Sequence, residues 1–92
     1  MIRSFRHKGL RILYETGSPR GIPAARVRRL QEILTLLDVA TSPRDLALPG
    51  FRLHQLHGAL APAWSITVSG NWRVTFVFER GDVFDVDLVD YH

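Results

Sequence analysis

The 92-residue sequence predicts an α+β fold in which two N-terminal helices pack on one face of a small, mainly antiparallel sheet. Three features carry that expectation. Apolar residues recur at helical spacing up to residue 40, the period changes to two from Phe51 onward, and short glycine-bearing turns punctuate the second half. Helices first and strands afterwards is the order of an α+β layout, not of alternating parallel units.

Ile2–Arg6 alternates weakly and is expected as a short N-terminal strand. His7–Glu15 follows as a helix with Leu10, Leu13 and Tyr14 on one side, ended by Thr16, Gly17, Ser18 and Pro19. A second helix opens at Pro23, whose missing N–H is harmless in a first turn. Its stripe of Val27, Leu30, Ile33, Leu34, Leu37 and Ala40 lies opposite Arg28, Glu32 and Thr35. Residues 40–49 contain two prolines and read as an irregular connection with a turn of helix around Arg44–Leu46.

The strands come next. Phe51–Leu56 is the first candidate. Trp64, Ile66 and Val68 alternate with Ser65, Thr67 and Ser69 in another. Trp72, Val74, Phe76 and Phe78 alternate with Arg73, Thr75 and Glu79, and Phe84, Val86 and Leu88 alternate with Asp85, Asp87 and Val89. Turns at Ser69–Gly70–Asn71 and around Gly81 make the last three a meander of hairpins.

Composition narrows the class. With 46% apolar and 23% charged residues and a mean hydropathy of −0.01, the chain reads as one globular domain spanning residues 1–92. It has no cysteine, which removes disulfides, thiolate nucleophiles and thiolate metal sites and fits a cytoplasmic location. The charged N-terminus lacks the apolar core of a signal peptide, and no apolar run approaches membrane-spanning length. Residues 1–52 hold ten Arg/Lys against four acids, while residues 53–92 hold two against five. Eleven of the twelve basic residues are arginine, the side chain suited to bidentate phosphate contact. A basic face towards nucleic acid is one reading of this balance, and arginines that merely solubilise helices are the other.

Four segments carry chemistry: Arg52-Leu53-His54-Gln55-Leu56-His57-Gly58, Arg73, the two tryptophan-marked strands, and the terminal Asp90-Tyr91-His92. Each has a plainer reading. His54 suits a half-buried histidine bonded to backbone, His57 a loop residue, Arg73 a sheet residue paired with Glu79 or a fourth-strand aspartate, the tryptophans core, and the terminal triplet a frayed end. An odd offset along a strand sends His54 and His57 to opposite faces, so they are not read as a metal pair, and no cofactor is expected. Taken together, the groups have the chemical types needed to cut RNA. A 2′-hydroxyl attacks the adjacent phosphate once its proton is removed, the leaving 5′-oxygen needs a proton, and histidine suits both transfers. Arginine suits the charge gathering on the phosphate, and tyrosine stacks on an unpaired base.

The residues also resemble a known family. Ile2-Arg3-Ser4-Phe5-Arg6-His7-Lys8-Gly9-Leu10, Gly21-Ile22-Pro23-Ala24, Leu53-His54-Gln55-Leu56-His57-Gly58, Trp64-Ser65-Ile66-Thr67-Val68, Asn71-Trp72-Arg73 and Asp90-Tyr91-His92 are similar to the HigB-type host-inhibition toxins of the RelE superfamily. That resemblance implies a RelE-like fold and the toxin of a type II toxin–antitoxin pair. It implies a ribosome-dependent endoribonuclease that cuts mRNA in the ribosomal A site without a metal. Its implied partners are a helix-turn-helix antitoxin of the HigA type, the ribosome and mRNA, with operator DNA reached only through the antitoxin. The implied catalytic residues are His54, Arg73, Asp90, Tyr91 and His92, with Arg52 and His57 as substrate-binding residues. Arg73 would face the scissile phosphate and Tyr91 the base. His54 and His92 would share the acid and base roles, in an order left open, while Asp90 orients one of them or is itself the base. Arg3, Arg6, Lys8, Arg11, Arg26, Arg28 and Arg29 are candidates for ribosomal RNA or antitoxin contacts. The alternative is a decayed toxin that only binds antitoxin or ribosome. A free-standing ribonuclease is a third reading.

One position departs from the family pattern. Close relatives are expected to carry lysine where this chain has His57. An ammonium is charged at pH 7, whereas an ordinary imidazole is mostly neutral. Cleavage is therefore expected to fall more steeply at high pH than in a lysine-bearing relative. His57→Lys should flatten that limb of the pH–rate profile; an unaltered profile rejects the idea.

Overall fold

The computed structural model describes residues 1–58 and 62–91. The first segment with regular geometry is α1, Lys8–Thr16, opened by the His7 ring, whose Nδ1 accepts from the Leu10 N–H at 3.1 Å. Gly17 closes it at φ 78°, a conformation that suits glycine, with its N–H bonded to the Leu13 carbonyl at 2.9 Å. Pro23 leads into a 3₁₀ turn at Ala24–Arg26 and then α2, Val27–Val39. The expected helix from Pro23 therefore begins as a tighter turn, and Ala40 caps its end in extended geometry while remaining buried. A second 3₁₀ turn, Pro43–Leu46, stands where the sequence expects a turn of helix.

The sheet is an antiparallel meander of β1 (His54–Gln55), β2 (Trp64–Ser69), β3 (Trp72–Glu79) and β4 (Asp82–Asp90), in that spatial order. The helices share one core with it. Leu10 and Leu13 of α1 and Leu30, Ile33, Leu34 and Leu37 of α2 join Ile66, Val74, Phe76, Val83, Val86 and Leu88. The predicted helix stripe and the alternating strand positions thus meet face to face. A close approach helps seat α1: a Cβ on Gly9 would lie 3.1 Å from the Gly21 carbonyl oxygen.

Three expectations are corrected. The N-terminal strand is reduced to two parallel bridges, Ile2 to Val83 and Phe5 to Val86, along the outer side of β4. Its backbone still bonds there, with Arg3 N to Val83 O at 2.7 Å and Arg6 N to Val86 O at 2.8 Å. The candidate strand Phe51–Leu56 keeps only two ladder residues, because Arg52 takes φ 49° and turns the chain out of the extended region. In β4 the side facing the core is read one residue out of phase at the start. Thr75 pairs with Asp87 but Val77 pairs with Phe84, so β4 carries an extra residue, and Asp85 sits at φ 56°. Val83 is consequently buried where the alternation predicts Phe84, whereas Val86 and Leu88 face inward as expected.

Tyr14 and Asp38 tie the N-terminal segment to both helices. The Asp38 carboxylate accepts from the Tyr14 hydroxyl at 2.6 Å and from the Ile2 N–H at 3.1 Å. The Tyr14 bond, followed by that of Ile2, holds Asp38 below the usual carboxylate range against the opposing effect of burial. The phenol is pushed up to about 12 by the same bond, then by burial and by the charge of Asp38. Among the described residues no helix is long and apolar enough to cross a membrane.

Since Asp38 ionises more readily folded than unfolded, its contribution is present above the ordinary carboxylate pKa and is lost as pH falls through its depressed folded value. Tyr14→Phe should lower unfolding stability at pH 7 by about 1–2 kcal/mol. That deficit should shrink between pH 7 and an acidic pH well below the ordinary carboxylate range, as wild type also loses the interaction. Urea melts at both pH values check this, and an equal deficit at both would contradict it.

Candidate active site

The two α-helices pack on one face of the sheet, and among the described residues no α-helix lies on the other. Residues between the core positions belong to this second face. Cross-strand register runs from His54 through Ser65 and Thr75 to Asp87 in one row, and from Thr67 through Arg73 to Val89 in the next. Tyr91 follows Val89 on the same alternation. A cleft of about 460 Å³ opens here, with Thr75, Asp87, Val89 and Tyr91 on its wall, joined by Arg6 and Asp85 at the β4 side and by Leu56 and Pro62 at the other.

The β2–β3 turn holds two of the predicted site residues together. The Arg73 Nη1 donates to the Gly70 carbonyl at 2.7 Å and to the Trp72 carbonyl at 3.0 Å. The Tyr91 N–H donates to the neighbouring Asn71 carbonyl at 2.9 Å. One turn therefore fixes both the guanidinium and the end of β4. Arg73 is anchored by carbonyls, and no acidic side chain among the described residues pairs with it, in contrast to the expected Glu79 or β4 aspartate. Tyr91 remains 38% exposed, its ring available to a planar partner.

His54 shares the open face, two strands and one register step from Arg73, a backbone separation of about 12 Å at ordinary strand spacings. The expectation that His54 and His57 point to opposite faces fails. Their ring centroids lie 6.4 Å apart and meet edge to face at 84°. The reason is local, because β1 ends at Gln55 and strict alternation does not extend to His57. Arg52 is exposed at the entrance to β1, between buried Phe51 and half-buried Leu53. Asp90 pairs with Trp72, so its register is that of the helix-covered face, not that of Arg73 and Tyr91. His92 lies outside the described residues. Among the described residues no three histidine or acidic side chains gather as a metal site.

Several basic residues already have structural work. Arg3 pairs with Asp82 at 3.1 Å. The Arg26 guanidinium lies 5.1 Å from the Trp72 ring centre, and its Nε is buried without a hydrogen bond among the described residues. Arg29 lies over Phe51 at 4.7 Å while bonding Gly50 O and Glu32. These three are less available to RNA than the sequence suggests. Arg6, Lys8 and Arg11 instead flank a shallow groove of about 150 Å³ at the start of α1.

Sequence reasoning did not single out Thr75, Asp85 or Asp87 as site residues, nor Arg6 as part of the cleft. Alternation marked Thr75, Asp85 and Asp87 as turned away from the apolar positions. Their convergence with Arg6 depends on strand register and on the parallel docking of the N-terminus, which one chain's periodicity does not encode.

The sequence profile of a family described as the RelE-like toxin of the type II toxin–antitoxin system HigB matches residues 3–92. The chain is also 45% identical over 92 residues to the protein named endoribonuclease HigB of Proteus vulgaris, covering 100% of both chains.

The left-handed backbone at Asp85 shapes the β4 side of the cleft. Its N–H bonds Ser4 Oγ at 2.9 Å, and Ser4 Oγ donates to its carboxylate at 3.3 Å. Asp85→Val should cost about 1–2 kcal/mol, because a branched residue resists that φ, whereas Asp85→Asn should be nearly neutral. Chemical unfolding of the two variants checks the difference; equal stabilities would remove the bulge as the cause.

Proposed function

Because the chain belongs to the RelE-like toxins of the type II toxin–antitoxin system HigB, we propose that it is a ribosome-dependent endoribonuclease that cuts mRNA in the ribosomal A site. The observation that carries this reading is the shared anchoring of Arg73 and Tyr91 by the Gly70–Asn71 turn. Both share the register of the open face, Arg73 in the row next to that of His54 and Tyr91 one step beyond it.

In the proposed reaction the 2′-hydroxyl attacks the neighbouring phosphorus. Its proton goes to a base, the 5′-oxygen leaves with a proton from an acid, and a 2′,3′-cyclic phosphate and a 5′-hydroxyl result. His54 and His92 share these two transfers. The guanidinium of Arg73 neutralises the charge that grows on the non-bridging oxygens. Because two carbonyls already hold Nη1, little reorganisation remains at that moment. Tyr91 stacks on the base beside the scissile bond. Asp90, in register with Trp72, is better suited to orienting a histidine than to taking the proton itself. Arg52 and His57 hold the flanking RNA backbone.

The openness of this face supports the ribosome-dependent reading. The cleft is open and Arg6 is its one cation among the described lining residues, so little here forces a flexible RNA into an in-line geometry. The ribosome holds its mRNA in place and supplies that order. Membership of a toxin–antitoxin family implies an antitoxin partner. We assign it to the helix-turn-helix HigA type, with operator DNA contacted through it, and place the toxin's action in the cytoplasm, where translating ribosomes are.

Purified wild-type chain and Arg73→Ala, each added to ribosomes carrying a defined mRNA, test the proposal. Wild type should cut within the A-site codon, and the variant should be slower by about 10²–10³-fold while retaining its fold. Ribosome binding without cleavage by wild type would mark a binding module. Equal cutting of naked RNA would mark a free-standing nuclease.

A further inference from the structure

The cleft has an electrostatic character that the phosphate chemistry does not use. Its charged lining residues among those described are Arg6, Asp85 and Asp87, two carboxylates against one guanidinium. Such a surface repels a phosphate and favours a neutral group that presents hydrogen-bond donors. Tyr91 bounds the cleft along the strand, and Thr75 lies directly across from Asp87. A flat heteroaromatic ring therefore finds an aromatic neighbour at one side and polar acceptors at the other.

The two acids are not equivalent. Asp85 is occupied at the bulge, where Ser4 bonds both its backbone and its carboxylate. Asp87 uses Oδ1 to accept from the Leu88 N–H at 2.9 Å. That bond fixes its side chain, and Oδ2 has no hydrogen bond among the described residues. Asp87 shares its alternation with Val89 and Tyr91, so the carboxylate belongs to the same face as the proposed reaction centre.

We propose that this cleft is a nucleobase subsite in which Asp87 accepts a hydrogen bond from an exocyclic amino group, so that the toxin discriminates against uracil at one codon position. The inference rests on the nuclease reading above and adds its specificity. Cytosine presents an N4 amino donor, whereas uracil at the same place presents an O4 acceptor that a carboxylate repels. The two pyrimidines match in size and stacking, so the carboxylate alone separates them. A site built around one such donor disfavours the analogue that lacks it, because the half-buried carboxylate then faces a carbonyl oxygen.

The test uses the purified chain on programmed ribosomes whose A-site codon carries C or U in turn at each of the three positions. Wild type should cut the C-bearing codon about tenfold faster at one position. Asp87→Asn keeps the size and an oxygen for the bond from Leu88 but offers both a donor and an acceptor, so the C-to-U ratio there should fall to near one. An unchanged ratio in the variant, or no C/U difference at any position in wild type, overturns the subsite while leaving the nuclease reading intact. Absence of all cleavage by wild type overturns both.

Discussion

The hydroxyl of Ser4, held against the left-handed backbone of Asp85, governs the side chains shown by the second half of β4. One extra residue there reverses the strand's alternation. Beyond it Val86 and Leu88 meet the helices, and Asp87, Val89 and Tyr91 meet the open face. Without the bulge, the same strand paired through Val77 and Phe84 would present the opposite set. The core and the open face are thus set apart by one local interruption, and the N-terminal segment bonds to it from outside the sheet.

Much of the fold was legible because its signals are local. The stripe in α2 and the alternation in β2 and β3 follow directly from burial on one side. The exceptions have local causes of a different kind. Arg52 and Asp85 adopt positive φ with side chains that do not advertise it, so one shortens a strand and the other shifts a phase. The N-terminal bridges need a partner about 80 residues away, and periodicity within Ile2–Arg6 says nothing about parallel docking on β4.

For the candidate site, the sequence offers residue types and only part of their arrangement. Alternation puts Arg73 away from Trp72 and Val74, in line with its register, yet its carbonyl anchors depend on the geometry of the β2–β3 turn. The two histidines were separated by an alternation rule that applies only while a strand continues, and this one stops at Gln55. Arginine content overstated the surface offered to RNA. Arg26 and Arg29 spend their guanidinium groups on Trp72 and Phe51, clamping the start of α2 to the sheet and to the connection leading into β1. The basic first half of the chain is thus partly an internal fastening.

The docking of Met1–Arg6 along β4 has a bearing on survival of the free toxin. An open strand flank, with its unpaired amides, invites a second copy to add on and begin a growing stack. On one side that flank is occupied by the protein's own amino terminus, closed by the ion pair of the terminal ammonium with Asp82 at 3.3 Å. On the other side the flank is only two residues long, too short to template much. Both flanks thus offer a second copy of the chain less open ladder than a bare strand would.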